Sequence, residues 1–409
     1  MSAHTHCRIC ATPLPDPFLD LGLMPLANSF LAQPVDPASE PRYPLAVAGC
    51  QGCGLMQLNY VVPAEQLYRD YIYVSATSDG VQQHAATLSR GLVAQYGWGA
   101  SDLVVEVASN DGTVLKAFQR EGVRVLGVEP AQNIASVAVR DGVPTVAEFF
   151  TPAVARDIRE GHGRAAAILG RHVFAHVDDV HGFIDGVCDL LTDEGVFIIE
   201  VPYAGDFLRH LEFDTVYHEH LSYIALHPMA GLAEQHGLHL VDVERVALHG
   251  GSIILHMRRA GVGTPSPRLN AMLEQEAASK LFDQFQLTAY ASRVHEWKQR
   301  FEALVSELTV GGATLVGYGA AAKGNTLLNF CPDVAKSLRV ILDRSPHKQG
   351  RYTPGTHVRV EHPDAWRNEQ ATHMLILAWN FQTEVMRQMS AFQEAGGRFV
   401  VPIPEPRVV

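Results

Sequence analysis

Two pairs of cysteines carry the most explicit chemistry in the chain. Cys7-Arg8-Ile9-Cys10 and Cys50-Gln51-Gly52-Cys53 are CxxC turns. Each such turn points two thiolates at one point, and two facing turns complete a tetrahedral site of four sulfurs. Gly52 and Gly54 suit the tight backbone of a knuckle. Haem attachment needs a histidine directly after the pair, whereas Ala11 and Gly54 follow here. A thioredoxin-type redox centre needs one pair in a βαβ setting. The reading is structural zinc held by Cys7, Cys10, Cys50 and Cys53, with no position left open for catalysis. The 39 residues between the pairs are rich in proline and form an irregular subdomain for the metal to staple together. Cys188 and Cys331 stand alone and read as core or surface thiols.

A second cluster, Tyr217-His218-Glu219-His220, holds a candidate general base and groups able to steady a developing oxyanion within four residues. In an extended segment the two imidazoles face one side, with Tyr217 and Glu219 on the other. A His-x-His metal site and a buried, non-catalytic hydrogen-bond network are the alternatives. A third group of residues is acidic. Leu103 to Val107 reads as a buried strand, and the turn Ala108-Ser109-Asn110-Asp111-Gly112 leads into a helix from Thr113. The next strand, Val123 to Val128, ends in Glu129. A strand, a small-residue turn, a helix and an acid ending the second strand build a nucleoside pocket, the acid accepting ribose hydroxyls. The turn lacks GxGxxG and instead brings Glu106 and Asp111 to where a pyrophosphate would sit. Carboxylates there repel a dinucleotide and suit a ligand with a positive centre and no phosphate. S-adenosylmethionine has that character.

The elements that must position these groups divide the chain in three: residues 1–75 as the zinc-binding domain, 76–265 as the cofactor-binding core, and 266–409 as a second α/β domain. Further core strands are expected at Ala166 to Leu169 and Gly195 to Val201, then an antiparallel pair at Leu238 to Arg245 and Ser252 to Arg258. His176, shortly after the fourth strand, reaches the same crevice by topology. Tyr71 and Tyr73 lie between the first two domains, where a tyrosine could fold over the cofactor or pack in the core. Residues 267–310 read as one or two helices with a stripe of Leu273, Leu281, Phe285, Val294, Trp297, Phe301 and Leu304. In the last domain, Thr314 to Val316 runs into Gly317-Tyr318-Gly319-Ala320-Ala321-Ala322-Lys323-Gly324-Asn325, and a strand from Val340 to Leu342 ends in Asp343. This repeats the layout of 103–129 and, taken alone, is a weak dinucleotide fingerprint.

Composition narrows the function further. With 32 Lys and Arg against 44 Asp and Glu, the net charge is −12, a poor match to nucleic acid or anionic membrane. Residues 1–75 contain three Arg, no Lys and six acids, so the knuckle has no basic footprint for phosphates. No stretch of roughly 18 apolar residues and no signal-peptide profile occurs, so a cytoplasmic protein is expected.

The segments ASNDGTVL (108–115), RHVFAHVDD (171–179), EVPY (200–203), EFDTVYHEHLSY (212–223), HGGSI (249–253) and GYGAAAKGNTLLN (317–329) together resemble the sugar C-methyltransferases, over essentially the whole chain. Two departures are Ala108, where glycine is expected, and Gly170-Arg171, where Asn is common. The resemblance implies a Rossmann-like class I methyltransferase core flanked by a zinc domain and a second Rossmann-like α/β domain. It implies transfer of a methyl group from S-adenosylmethionine to the carbon next to the ketone, C3 of a nucleoside-diphosphate-linked 4-keto deoxysugar, through an enolate. It favours His220 as the base, with Tyr217 and Glu219 shaping or polarising the site; His176 joins the catalytic candidates by its place in the topology. Glu106, Ser109, Asn110, Asp111, Glu129 and Tyr71 are then expected at the cofactor, and Tyr217, His220, Tyr318, Lys323 and Asn325 at the sugar nucleotide. Lys323 and glycine amides suit its pyrophosphate. The expected assembly is a monomer or weak homodimer without nucleic acid or membrane. The competing readings are methylation of a non-sugar acceptor, an NAD-linked sugar-nucleotide oxidoreductase built on residues 317–343, and a zinc-dependent nucleic-acid-binding regulator.

Overall fold

The structure is a computed structural model and describes residues 2–68, 79–246, 251–280 and 283–409. The central sheet has seven strands: β1 (Leu103–Val107), β2 (Arg124–Val128), β3 (Thr145–Val146), β4 (Ala165–Arg171), β5 (Leu191–Pro202), β6 (Leu238–Val246) and β7 (Ser252–Arg259). Their spatial order is β6-β7-β5-β4-β1-β2-β3. Strands β3, β2, β1, β4 and β5 are parallel, and β7 and β6 finish the edge as an antiparallel pair. All five residues of β1 are buried, the mark of a parallel strand covered on both faces. The chain runs from β1 outward to β3 and then crosses back to β4. That reversal opens a crevice at the carboxyl ends of β1 and β4, where ligands of such sheets bind. The two-residue β3 is too short to show any periodicity in the sequence.

The zinc-bearing region forms an antiparallel sheet from Leu19–Met24, Tyr43–Gly49 and Met56–Leu58, and its fourth strand is Ser222–Tyr223. Ser222 pairs with Gln57 and Tyr223 with Met56. The residues directly after His220 are therefore part of this sheet. Cys7, Ile9, Cys50 and Leu55 pack into the core of the central sheet with residues such as Leu226 and Met229. The other side of the region, including Leu19, Leu45 and Met56, shares a core with the C-terminal strands. The first sheet is thus a wedge between the other two.

The C-terminal sheet orders its strands Val360–Glu361, Leu338–Leu342, Leu315–Tyr318, His373–Ile376, Arg398–Val401 and Arg407–Val408, parallel except for the last. Two helices, Pro267–Ala278 and Gln284–Val310, connect it to the core. The longer one buries Leu287, Tyr290, Val294, Trp297, Phe301 and Val305. The expected stripe is correct from Val294 through Phe301, but Phe285 is 75% exposed and Leu287 takes the inward position. Leu281 lies outside the described residues. Among the described residues no helix is long and apolar enough to cross a membrane.

Candidate active site

The four ligand-type sulfurs converge as their spacing requires. The Sγ atoms of Cys7, Cys10, Cys50 and Cys53 lie within 4.8 Å of one another. Cys7 and Cys53 are 3.5 Å apart and Cys10 and Cys50 are 3.4 Å apart. Tetrahedral zinc with bonds of about 2.3 Å sets sulfurs about 3.8 Å apart, so these two pairs would open slightly and the longer separations, up to 4.8 Å, would close onto one ion. The Cys53 thiol hydrogen-bonds to Cys7 and brings the Cys7 pKa down to about 4, so Cys7 carries the first thiolate. The donor set is four thiolates, the set of a structural zinc.

The loop after β1 is built on left-handed backbone. Ala108, Asn110 and Gly112 have φ of 55°, 51° and 75°. An alanine in that region costs on the order of 1 kcal/mol, and glycine at 108 would relieve it. The strain is offset by the acid ending β2. Glu129 accepts the Asn110 amide and the Ala131 amide, each at 2.9 Å, one on each carboxylate oxygen. Each oxygen retains a lone pair for a ribose hydroxyl. Gly127 lets the loop approach β2, since a Cβ there would meet Ser109 Oγ at 2.4 Å. Asp111 accepts both the amide and the hydroxyl of Thr113, so it caps the following helix as well as lining the turn.

Glu106, on β1, is buried with one carboxylate oxygen lacking a hydrogen-bond partner. Burial raises its pKa to about 8, against the pull of Arg171, and Asp111, Glu129 and Glu200 push the same way as burial. Arg171 is itself committed, donating to Glu200 at 2.8 Å. Three carboxyls with one orphaned oxygen fit a cationic nucleoside such as S-adenosylmethionine and oppose a pyrophosphate. A carboxyl whose folded pKa exceeds its unfolded value loses stability as pH rises from 4.5 towards 8, because the ionised form is the disfavoured one in the fold. Glu106→Gln should therefore melt above the native protein at pH 8, with the difference vanishing towards pH 4.5. It should also abolish a proton release on cofactor binding, read by calorimetry in buffers of different ionisation enthalpy, and weaken that binding at least about tenfold.

The cluster around His220 is assembled from three regions. Residues 217–220 form a turn closed by His220 N donating to Tyr217 O at 2.9 Å. The expected extended alternation is thus wrong. The turn brings Tyr217 and His220 together, with Tyr217 Oη 2.7 Å from His220 Nε2. His220 Nδ1 lies 2.8 Å from the Thr215 carbonyl, which can only accept, so Nδ1 carries the proton and Nε2 the lone pair. Burial holds His220 well below the usual imidazole range, with His176 adding to the effect. His176 ends a short helical turn after β4, and its ring centroid is 5.1 Å from that of His220. Burial lowers its pKa to about 3. Its Nδ1 is 3.2 Å from Tyr68 Oη, and the two rings stack. Both imidazoles are neutral.

The other members of the motif face elsewhere. His218 is buried edge-on against Tyr43 and belongs to the packing of the first sheet. Glu219 is also buried and accepts a hydrogen bond from Asn28 at 2.6 Å. A Tyr217-His218-Glu219-His220 metal site is not formed, since the cysteine cluster is the one metal-type grouping among the described residues. Tyr71 and Tyr73 lie outside the described residues. Tyr68, from the helix Ala64–Tyr68, is the tyrosine that reaches His176, and sequence reasoning missed it. The contact of His84 with buried Glu200, 3.0 Å apart, was missed as well. Of these, only Glu200 carried a signal, in its strand-end position in EVPY.

In the C-terminal domain, the glycines answer to packing. A Cβ on Gly319 would meet the Ala378 Cβ at 2.8 Å, and one on Gly324 would meet the Leu377 Cβ at 2.9 Å. The loop's polar groups are spent internally. Ala320 N donates to Asp343 at 2.7 Å, and half-buried Lys348 donates to Ala320 O at 2.7 Å. Tyr318 is buried and donates to Gln388, and Asn325 is buried and donates to the Ala27 carbonyl, so neither faces an open pocket. Lys323 differs from both. Its ammonium stands 4.6 Å from the Trp379 ring centroid and attracts the carboxyls of Glu212 and Asp214, on the segment leading to Tyr217.

Family models match the chain in three consecutive pieces: a zinc binding domain over residues 7–68, a methyltransferase domain over 86–243 and a C-methyltransferase C-terminal domain over 247–404. The C-methyltransferase NovU of Streptomyces niveus is 37% identical over 407 residues, covering 98% of this chain and 96% of its own. Solved structures match about half of the chain at lower identity. A 1,6-didemethyltoxoflavin-N1-methyltransferase of Burkholderia thailandensis shares 19% identity over 53% of this chain and 96% of its own, with a TM-score of 0.36. The magnesium protoporphyrin IX methyltransferase of Synechocystis PCC 6803 shares 12% over 44% of this chain and 80% of its own, with a TM-score of 0.34. On the near full-length match and the three domain models in order, this chain belongs to the S-adenosylmethionine-dependent C-methyltransferases that carry an N-terminal zinc-binding domain.

Proposed function

We propose that this enzyme methylates the carbon next to the ketone, C3, of a nucleoside-diphosphate-linked 4-keto deoxysugar. The observation that carries the reading is the His220 tautomer: Nδ1–H on the Thr215 carbonyl leaves the Nε2 lone pair beside the Tyr217 hydroxyl, in a site where burial keeps the ring neutral. A neutral, oriented imidazole is what removal of a weakly acidic α-proton requires. Bound S-adenosylmethionine supplies the electrophilic methyl group. His220 takes the proton from C3, and the Tyr217 hydroxyl shares it or holds the enolate oxygen. His176, its pKa lowered by burial, stands beside His220 with ring centroids 5.1 Å apart. Glu106, Asp111 and Glu129 hold the cationic cofactor, and Lys323 is the cation for the substrate's diphosphate. An NAD-linked reaction fits the C-terminal loop less well, because Asp343 and Lys348 already occupy its polar groups.

The test uses the purified enzyme with S-adenosylmethionine and a nucleoside-diphosphate 4-keto deoxysugar. The product should be one methylene heavier, with the new methyl on C3. In deuterated buffer lacking the methyl donor, the enzyme should exchange the C3 hydrogen. If the cofactor binds and 4-keto sugars show neither methylation nor exchange, the acceptor belongs to another class.

A further inference from the structure

Arg8 lies between the first two ligand cysteines, yet its contacts run to the proton-handling loops. Its guanidinium is almost wholly buried. Nε donates to Asp178 at 3.0 Å. One terminal nitrogen reaches the Gln57 side chain at 2.9 Å, the Leu58 carbonyl at 3.0 Å and the Leu221 carbonyl at 3.2 Å. Leu221 directly follows His220, and Asp178 stands two residues beyond His176. The Leu221 carbonyl also accepts the Leu58 amide at 2.9 Å, which ties it to the first sheet. A buried cation is costly unless its donors are met; here Nε and one terminal nitrogen are met by groups from both loops, while the other terminal nitrogen has no partner among the described residues.

We propose that Arg8 is a positioning residue. Fixed between two metal ligands, it holds the loop after His220 and the loop after His176 at one spacing, so the zinc knuckle sets the geometry of proton transfer. Arginine suits the role because its rigid planar fork presents donors in several fixed directions, which a lysine cannot. The inference rests on residues 215–220 carrying the proton chemistry.

Arg8→Met keeps the apolar stem and removes every side-chain donor. The purified variant should retain one zinc per chain and bind S-adenosylmethionine within about twofold of the native enzyme. Its kcat should fall on the order of 10²-fold, the scale of a displacement of about 1 Å, with KM for the sugar moving far less. Amide exchange over residues 216–223 should quicken. Native kcat and native exchange in the zinc-loaded variant would overturn the proposal, as would a loss of zinc or cofactor affinity in step with kcat. Should Arg8→Met fail to fold, Asp178→Ala removes the acceptor that ties Arg8 Nε to the His176 loop, together with the Asp178 contact to His4. That variant should lose several-fold in kcat with zinc and cofactor binding intact, and an unchanged kcat would overturn the proposal. If the native enzyme methylates no keto sugar, the exchange measurement still reads the Arg8 link independently of the substrate.

Discussion

His220→Asn should lower kcat by about 10²- to 10⁴-fold, the range a positioned general base contributes, while leaving affinity for S-adenosylmethionine nearly intact. The asparagine amide can still donate to the Thr215 carbonyl, as His220 Nδ1 does at 2.8 Å, so the turn is kept and only the basic lone pair is lost. Tyr217→Phe removes the hydroxyl facing Nε2 at 2.7 Å and should lose less. The pH profile adds a second check. Burial places His220 well below the ordinary imidazole pKa, so activity should not fall through an imidazole titration between pH 8 and pH 6. Steady-state kinetics with calorimetry of cofactor binding decide the matter. Parallel loss of kcat and cofactor affinity would make His220 structural.

The second large effect is expected at the metal. Structural zinc contributes about 10–16 kcal/mol to the folding of isolated zinc-finger peptides, and part of that magnitude should appear here. Cys50→Ser should lose bound zinc, melt well below the native protein and lose methyl transfer altogether. The last follows from the fold, because Ser222–Tyr223 is a strand of the zinc-bearing sheet and Arg8 touches the residue after His220. Elemental analysis, thermal melting and activity on the same sample check it. A Cys50→Ser enzyme with full zinc content and unchanged melting would show that the four sulfurs are not the metal site.

How far the sequence carried these conclusions depends on the range of each signal. The cysteine turns and the strand–turn–helix–acid layout of 103–129 are local patterns, and both were legible. The cysteine cluster and the Glu129 grip on the loop after β1 fall where local geometry places them. The turn at 217–220 was not legible as a turn, because no glycine or proline marks it. Its shape comes from the backbone bond of His220 to Tyr217 and from the sheet that claims residues 222–223. The bonds Arg8–Leu221, Asn28–Glu219 and Asn325–Ala27 join residues 191 to 298 positions apart, beyond any periodicity. The glycines of 317–324 were legible as glycines, but what they answer to is close contact with Ile341, Ala378 and Leu377 and, at Gly319, a φ of 90°. Sequence spacing cannot separate tight packing from room for a phosphate.

The fourth strand of the metal-bearing sheet also limits how such enzymes can be recombined. Residues 222–223 complete the hydrogen bonding of Met56–Leu58, so a module cut from the first third of the chain would carry an unsatisfied strand edge into any new host. Exchanging acceptor specificity between relatives by grafting their amino-terminal modules would have to bring the distant dipeptide along. Chimeras joined within the C-terminal domain leave that seam untouched.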